Sequence, residues 1–183
     1  MVDDLPPWLE QARAGWSNRG VTRPSFAVEP KPGQESVWDY PRPPAIVADH
    51  RRVMVGEPSD PLAVTSRSVR VLETASPPTF YLASDDVSAD RLVVVAGSSY
   101  CEWKGKAISW ALREHPGESI GWSYPVPLPG FEAIAGCFAF YPGRIRCSVD
   151  GEVVRPQAGG FYGGWITDEI SGPFKGDPGT SGW

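Results

Sequence analysis

A mainly β fold is predicted by two features of the sequence. Glycine and proline number twenty each among 183 residues, and short runs rich in valine, isoleucine and aromatics recur about every ten residues. Proline and glycine at that density interrupt helices too often for a mostly helical chain. Seven Phe, eight Trp and six Tyr argue against disorder, which goes with few aromatics. The length suits one domain with ordered tails. The spacing favours an antiparallel barrel or sandwich, with one or two short helices.

Residues 1–45 read as a proline-rich N-terminal arm. Asp3 or Asp4 can cap a short helix, and Pro6 suits its first turn. Trp8, Leu9, Ala12 and Trp16 follow helical spacing, with Gly15 near the end, so this helix is expected to dock through its two tryptophans. Arg23-Pro24, Glu29-Pro30, Lys31-Pro32 and Pro43-Pro44 then keep the chain extended to Pro44.

Residues 46–155 carry the expected core. The β-rich runs are Arg52–Val55, Leu62–Thr65, Val69–Leu72, Thr79–Leu82, Leu92–Ala96, Ala107–Leu112 and Ile120–Tyr124. Pro77-Pro78 predicts a turn, because proline cannot donate to a central ladder. Arg144–Val149 and Glu152–Val154 flank Asp150-Gly151, a strong hairpin signal because both turn residues tolerate positive φ. A helix is expected after Pro129-Gly130, where Ile134, Phe138 and Tyr141 recur at helical spacing. Residues 156–183 form a tail with eight glycines. Its large aromatics, Phe161, Tyr162, Trp165, Phe174 and Trp183, predict that it packs on something apolar, unlike a flexible glycine linker. That surface is its own domain or another subunit, so a homo-oligomer stays open.

The formal net charge is −5, and the longest basic run is Arg51-Arg52. Nucleic-acid binders usually show a basic stripe, so nucleic acid is not an expected partner. No apolar stretch approaches the ~20 residues that span a bilayer, so no membrane association is expected. The acidic, proline-bearing N-terminus does not read as a signal peptide. A cytoplasmic location is therefore expected, where thiols stay reduced. Cys101, Cys137 and Cys147 are odd in number, no C-x-x-C pair occurs, and His50 and His115 are isolated. Neither a disulfide framework nor a structural zinc site, which needs about four ligands, is expected, and no cofactor is implied.

Several motifs in order carry a family resemblance. They are Ser36-Val37-Trp38-Asp39-Tyr40-Pro41-Arg42-Pro43-Pro44, Val71-Leu72-Glu73-Thr74, Cys101-Glu102-Trp103-Lys104-Gly105, Trp122-Ser123-Tyr124-Pro125, and Ile134-Ala135-Gly136 with Phe140-Tyr141. Over about 36–155 the chain resembles the domain-of-unknown-function 427 family, in a longer bacterial form with arm and tail. The resemblance implies a small bent antiparallel sheet or open barrel, a tent-like, Mss-type fold whose wider group often holds a ligand between sheets. Many relatives carry zinc on paired cysteines, which this sequence lacks. The family also bears a nucleotidyltransferase-like label. Such enzymes need Gly-Ser followed by Asp-x-Asp to hold Mg²⁺ against phosphates. Gly97-Ser98 is present, but no Asp-x-Asp follows it.

The densest reactive group is Ser98-Ser99-Tyr100-Cys101-Glu102-Trp103-Lys104-Gly105, read as a loop between apolar runs. Cys101 beside Lys104 is a candidate nucleophile with a lowered pKa, or else a small buried hydrophobe. Lys104 is the second catalytic candidate. Glu73, at a predicted strand end, pairs with Lys104 or Arg67 across the sheet, or anchors a ligand in an apolar pocket. Trp103, Trp110, Trp122 and Tyr124 flank the loop. Trp110 and Trp122 are placed as facing walls that stack on a ligand, with ordinary core packing as the alternative. Alternation puts Trp122 and Tyr124 on one strand face and Ser123 on the other.

Three functions fit these residues. The favoured one binds a small molecule of unknown identity in an aromatic-lined pocket between sheets, anchored by Glu73, Lys104, Trp103, Trp110, Trp122 and Tyr124. The second is a group-transfer enzyme using Cys101 or Lys104. The third is an interaction module working through the tail.

Overall fold

The structure, a computed structural model, describes residues 6–183. The candidate caps Asp3 and Asp4 lie outside the described residues. The fold is mainly β, with one α-helix and several small sheets. In chain order the elements are α1 (Pro7–Ala14), β1 (Glu35–Ser36), β2 (Ala45–Asp49), β3 (Val53–Glu57), β4 (Asp60–Thr65), β5 (Ser68–Glu73), β6 (Ser76–Tyr81), β7 (Leu92–Cys101) and β8 (Gly105–Leu112). Then come β9 (Ser119–Ser123), β10 (Phe138–Phe140), β11 (Cys147–Val149), β12 (Glu152–Val153), β13 (Arg155–Pro156), β14 (Trp165–Ile166) and β15 (Ile170–Ser171). Among the described residues no helix is long and apolar enough to cross a membrane.

Three antiparallel sheets form the body: β10-β9-β8-β7, β12-β11-β3-β4 and β2-β5-β6. None closes into a barrel. Reciprocal backbone hydrogen bonds between Leu82 and Phe138 join the end of β6 to β10, so the first and third sheets meet as one bent surface. Side-chain alternation then serves two apolar clusters at once. Phe80 and Leu82 face one cluster, while Tyr81 between them faces the other. Phe138 and Phe140 enter the first cluster and Ala139 the second, by the same period of two.

The Asp150-Gly151 turn is as expected: φ is +47° and +87°, and Val149 pairs with Glu152 across it. Asp150 adds an accepted hydrogen bond from the Arg52 N–H at 2.8 Å. Three expectations are corrected. Pro77-Pro78 lies inside β6, not in a turn. β6 is an edge strand, and the register of its pairing with β5 shifts between Val71 and Glu73, so the missing N–H groups are tolerated. The segment after Gly130 is a single 3₁₀ turn, Glu132–Ile134, followed by β10. Phe138-Ala139-Phe140 satisfies a period of two as well as of four, and packing against neighbouring strands decides it. The arm helix buries Leu9, while Trp8 is 51 % exposed and Trp16 lies beyond the helix end.

The tail packs on its own chain. β14 pairs with β13, and β15 lies parallel to β1 of the arm. Trp165 is fully buried, stacks on Phe80 with ring centroids 4.8 Å apart, and donates its indole N–H to the Phe140 carbonyl at 3.0 Å. Truncating it deletes the largest side chain joining tail to body. Trp165→Ala is therefore expected to cost about 3–5 kcal/mol, read from a denaturant melt as one lowered transition, whereas an early separate transition would mean that the tail folds independently.

Candidate functional site

A cavity of about 310 Å³ opens between the bent sheets. Its floor comes from β5 and β6, one wall from the β7–β8 hairpin and β9, and its rim from the arm and tail. The reactive segment expected as a loop is this hairpin: strand pairing runs up to Cys101 and resumes at Gly105, leaving Glu102-Trp103-Lys104 as the turn. The hairpin is gripped by the arm. Arg13 donates to the Glu102 carbonyl at 2.7 Å, and the Trp16 indole N–H donates to Glu102 Oε1 at 2.8 Å.

Glu73, Cys101, Lys104, Trp122 and Tyr124 all line the cavity. Trp122 and Tyr124 share its face through strand alternation. Ser123 points away and accepts the Trp110 indole N–H at 2.8 Å. Trp110 and Trp103 are corrected: neither lines the cavity. Trp110 pairs with Gly121 and Trp122 with Ser109, so adjacent register positions send the two rings to opposite faces of the sheet. Trp110 instead packs edge-on against Phe138 at 5.3 Å. Trp103 is 4 % exposed in the interior beneath Arg13, whose guanidinium lies 5.0 Å from its ring centroid. Arg67 is also corrected as a partner of Glu73, since it pairs with Asp86. His50 and His115 are not among the lining residues.

Glu73 lies between Arg42 Nε at 3.3 Å and Lys104 Nζ at 3.9 Å. Burial favours the neutral amine of Lys104, but Cys101, Tyr81, Tyr124 and Glu73 facing it outweigh burial and hold its pKa well above the ordinary lysine value. Lys104 is thus an ammonium at neutral pH, suited to binding rather than to attack. Burial pushes the Tyr81 phenol up to about 12, and its oxygen accepts the Trp122 indole N–H at 3.3 Å. Burial raises Tyr124 as well, so both phenols remain protonated donors. The Cys101 thiol is half-buried and donates to Glu102 Oε2 at 3.7 Å. Among the described residues no three His, Cys, Asp or Glu side chains converge as a metal-ligand set.

Among the wall residues that sequence reasoning missed are Trp16, Tyr81, Tyr141, Tyr162 and Lys175. Tyr81 carried a signal, since alternation within Thr79–Leu82 separates it from Phe80. The others come from the arm, a loop and the tail, with no local pattern to mark them. Lys175 is 6 % exposed. Its N–H donates to the Ala75 carbonyl at 2.8 Å, and its carbonyl accepts from Gln157 at 2.6 Å. Its ammonium lies 3.6 Å from the Trp16 ring centroid and 5.7 Å from that of Tyr162. Gly163 closes the rim, and a Cβ built there would overlap the Trp122 ring.

Residues 45–155 match the model of a family described as a domain of unknown function, DUF427. No curated protein matches the chain.

Two outcomes follow from this packing. Gly163→Ala should force the tail off Trp122 and cost about 1–3 kcal/mol by overpacking, visible as a lowered melting midpoint and altered Trp122 resonances. Burial lowers the Lys175 pKa from 10.5 to about 8. The proton is therefore held more weakly in the folded state, and the buried charge opposes folding in full below about pH 8. Wild-type protein recovers stability as pH rises from about 8 to 10.5. Lys175→Met should melt about 2–4 °C above wild type near neutral pH. Differential scanning calorimetry across that range should show the advantage shrinking. An advantage that grows with pH would contradict the assignment.

Proposed function

We propose that this chain, which belongs to the DUF427 family, binds a small molecule in the cavity between its bent sheets. One observation carries the reading: a concave site of about 310 Å³ gathers polar groups on an aromatic wall. That volume falls at the low end of the roughly 300–1,000 Å³ usual for ligand sites, which suits a metabolite of one or two rings. Trp122, Tyr141 and Tyr162 supply flat apolar surface. Lys104, Glu73, Tyr81 and Tyr124 supply a pre-formed set of charged and hydroxyl groups, held by their neighbours before any ligand arrives.

A fragment titration tests this. Small aromatic compounds added to ¹⁵N-labelled protein should shift the indole N–H signals of Trp122 and Trp16 in a saturable way. Ser99 is an exposed lining residue on β7, so Ser99→Trp should block access without disturbing the core. The same titration should then leave both signals still. Shifts that persist unchanged in Ser99→Trp would place binding elsewhere.

A further inference from the structure

Four charged side chains line the cavity: Glu73, Glu102, Lys104 and Lys175. Glu73 is held by Arg42 and Lys104. Glu102 accepts the Trp16 indole N–H and the Cys101 thiol. Among the described residues no carboxylate lies within ion-pair distance of Lys175, and its ammonium makes no hydrogen bond to a side chain or carbonyl there. What it meets is the face of Trp16 at 3.6 Å. Arg42 lies over the same indole, its guanidinium carbon 4.2 Å from the centroid, so one ring carries two cations. Lysines usually extend the head group to water, and burying an ammonium without an anion is costly. Here the ammonium opens onto the cavity. Ala75 and Gln157 fix the main chain of Lys175 from both sides, and the side chain is left along the cavity wall.

We propose that the cavity selects a small planar molecule bearing one oxyanion, a carboxylate or a phosphate, and that the Lys175 ammonium is its anion contact. The proposal rests on the binding reading above and gives that ligand its chemical class. The ligand supplies the close counter-ion that Lys175 lacks, since Glu73 and Glu102 act on it only from beyond ion-pair distance. Lys104 and Arg42, already shared with Glu73, add positive potential behind it. A cationic ligand would meet Lys175 and Lys104, while the two lining carboxylates are already engaged by Arg42, Lys104 and the Trp16 indole.

The test uses the full chain and matched probes that differ in charge: benzoate, phenyl phosphate, benzamide and benzylamine, each titrated against ¹⁵N-labelled protein. Benzoate or phenyl phosphate should shift the Trp16 and Trp122 indole signals at concentrations at least tenfold below those needed for benzamide, and benzylamine should bind weakest. The stronger of the two anions identifies the preferred oxyanion. In Lys175→Met the anion preference should fall below about twofold while benzamide binding persists, and Lys175→Arg should restore it. Equal binding of benzoate and benzamide to wild type, or an undiminished preference in Lys175→Met, would overturn the role of Lys175 and leave the binding cavity standing. If no probe of any charge shifts either indole, the cavity reading falls and the anion contact falls with it.

Discussion

A single buried guanidinium ties the outlying segments of this molecule to its sheets. Arg42 has its side chain sealed from water. It donates to the Thr74 carbonyl at 2.9 Å, to the Asn18 carbonyl at 3.1 Å and to the Trp183 carbonyl at 3.4–3.5 Å. Those partners belong to the β5–β6 turn, the arm and the last residue of the chain. Its Nε faces Glu73 and its plane covers Trp16. Burial weakens its hold on the proton against the pull of Glu73, yet a guanidinium stays charged at any ordinary pH. A buried charge of this kind needs partners: carbonyls from three distant segments take its terminal N–H groups, and Glu73 faces Nε, which makes no hydrogen bond.

The cavity follows from the same constraint. Glu73 is drawn to Arg42 and in turn holds Lys104, so the polar floor is fixed from beneath. The hairpin carrying Cys101 and Lys104 is gripped by Arg13 and Trp16 of the arm. The tail is set by Lys175, whose N–H donates to the Ala75 carbonyl, and by Pro173, whose carbonyl accepts the Trp38 indole N–H at 3.1 Å. Walls drawn from the arm, three strands and the tail thus meet in a pre-formed shape, as small-molecule sites commonly do. A second chain of ion pairs runs through Glu169, Arg51, Asp49, Arg70 and Glu35 to the Tyr40 hydroxyl. It stitches β2 and β5 to the arm and to the β14–β15 turn, away from the cavity.

Much of the β body was legible residue by residue. Asp150-Gly151 needed only local conformational preference, and the tight hairpin formed where both residues accept positive φ. Val69–Leu72 and Ala107–Leu112 fell within strands because their own side chains favour a pleated, half-buried surface. The misread segments are those where local rules left two answers. Pro77-Pro78 is barred from a central strand but not from an edge, and edge position is a property of the whole sheet. Phe138 and Tyr141 fit a helix, while Phe138 and Phe140 fit a strand. Trp110 and Phe80 nearby made the strand the better-packed choice.

The sequence by itself determined the β class, the turn at Asp150-Gly151, the closeness of Cys101 to Lys104, and the shared face of Trp122 and Tyr124. Each depends on residues close in the chain or on strand alternation. Only the tertiary structure decided that Trp110 turns its back on the cavity, since one step of register between β8 and β9 reverses a side chain. Only it brought Lys175 beside Trp16, 159 positions away, and set Gly163 against Trp122, 41 positions away, because no local pattern encodes contacts between such distant segments.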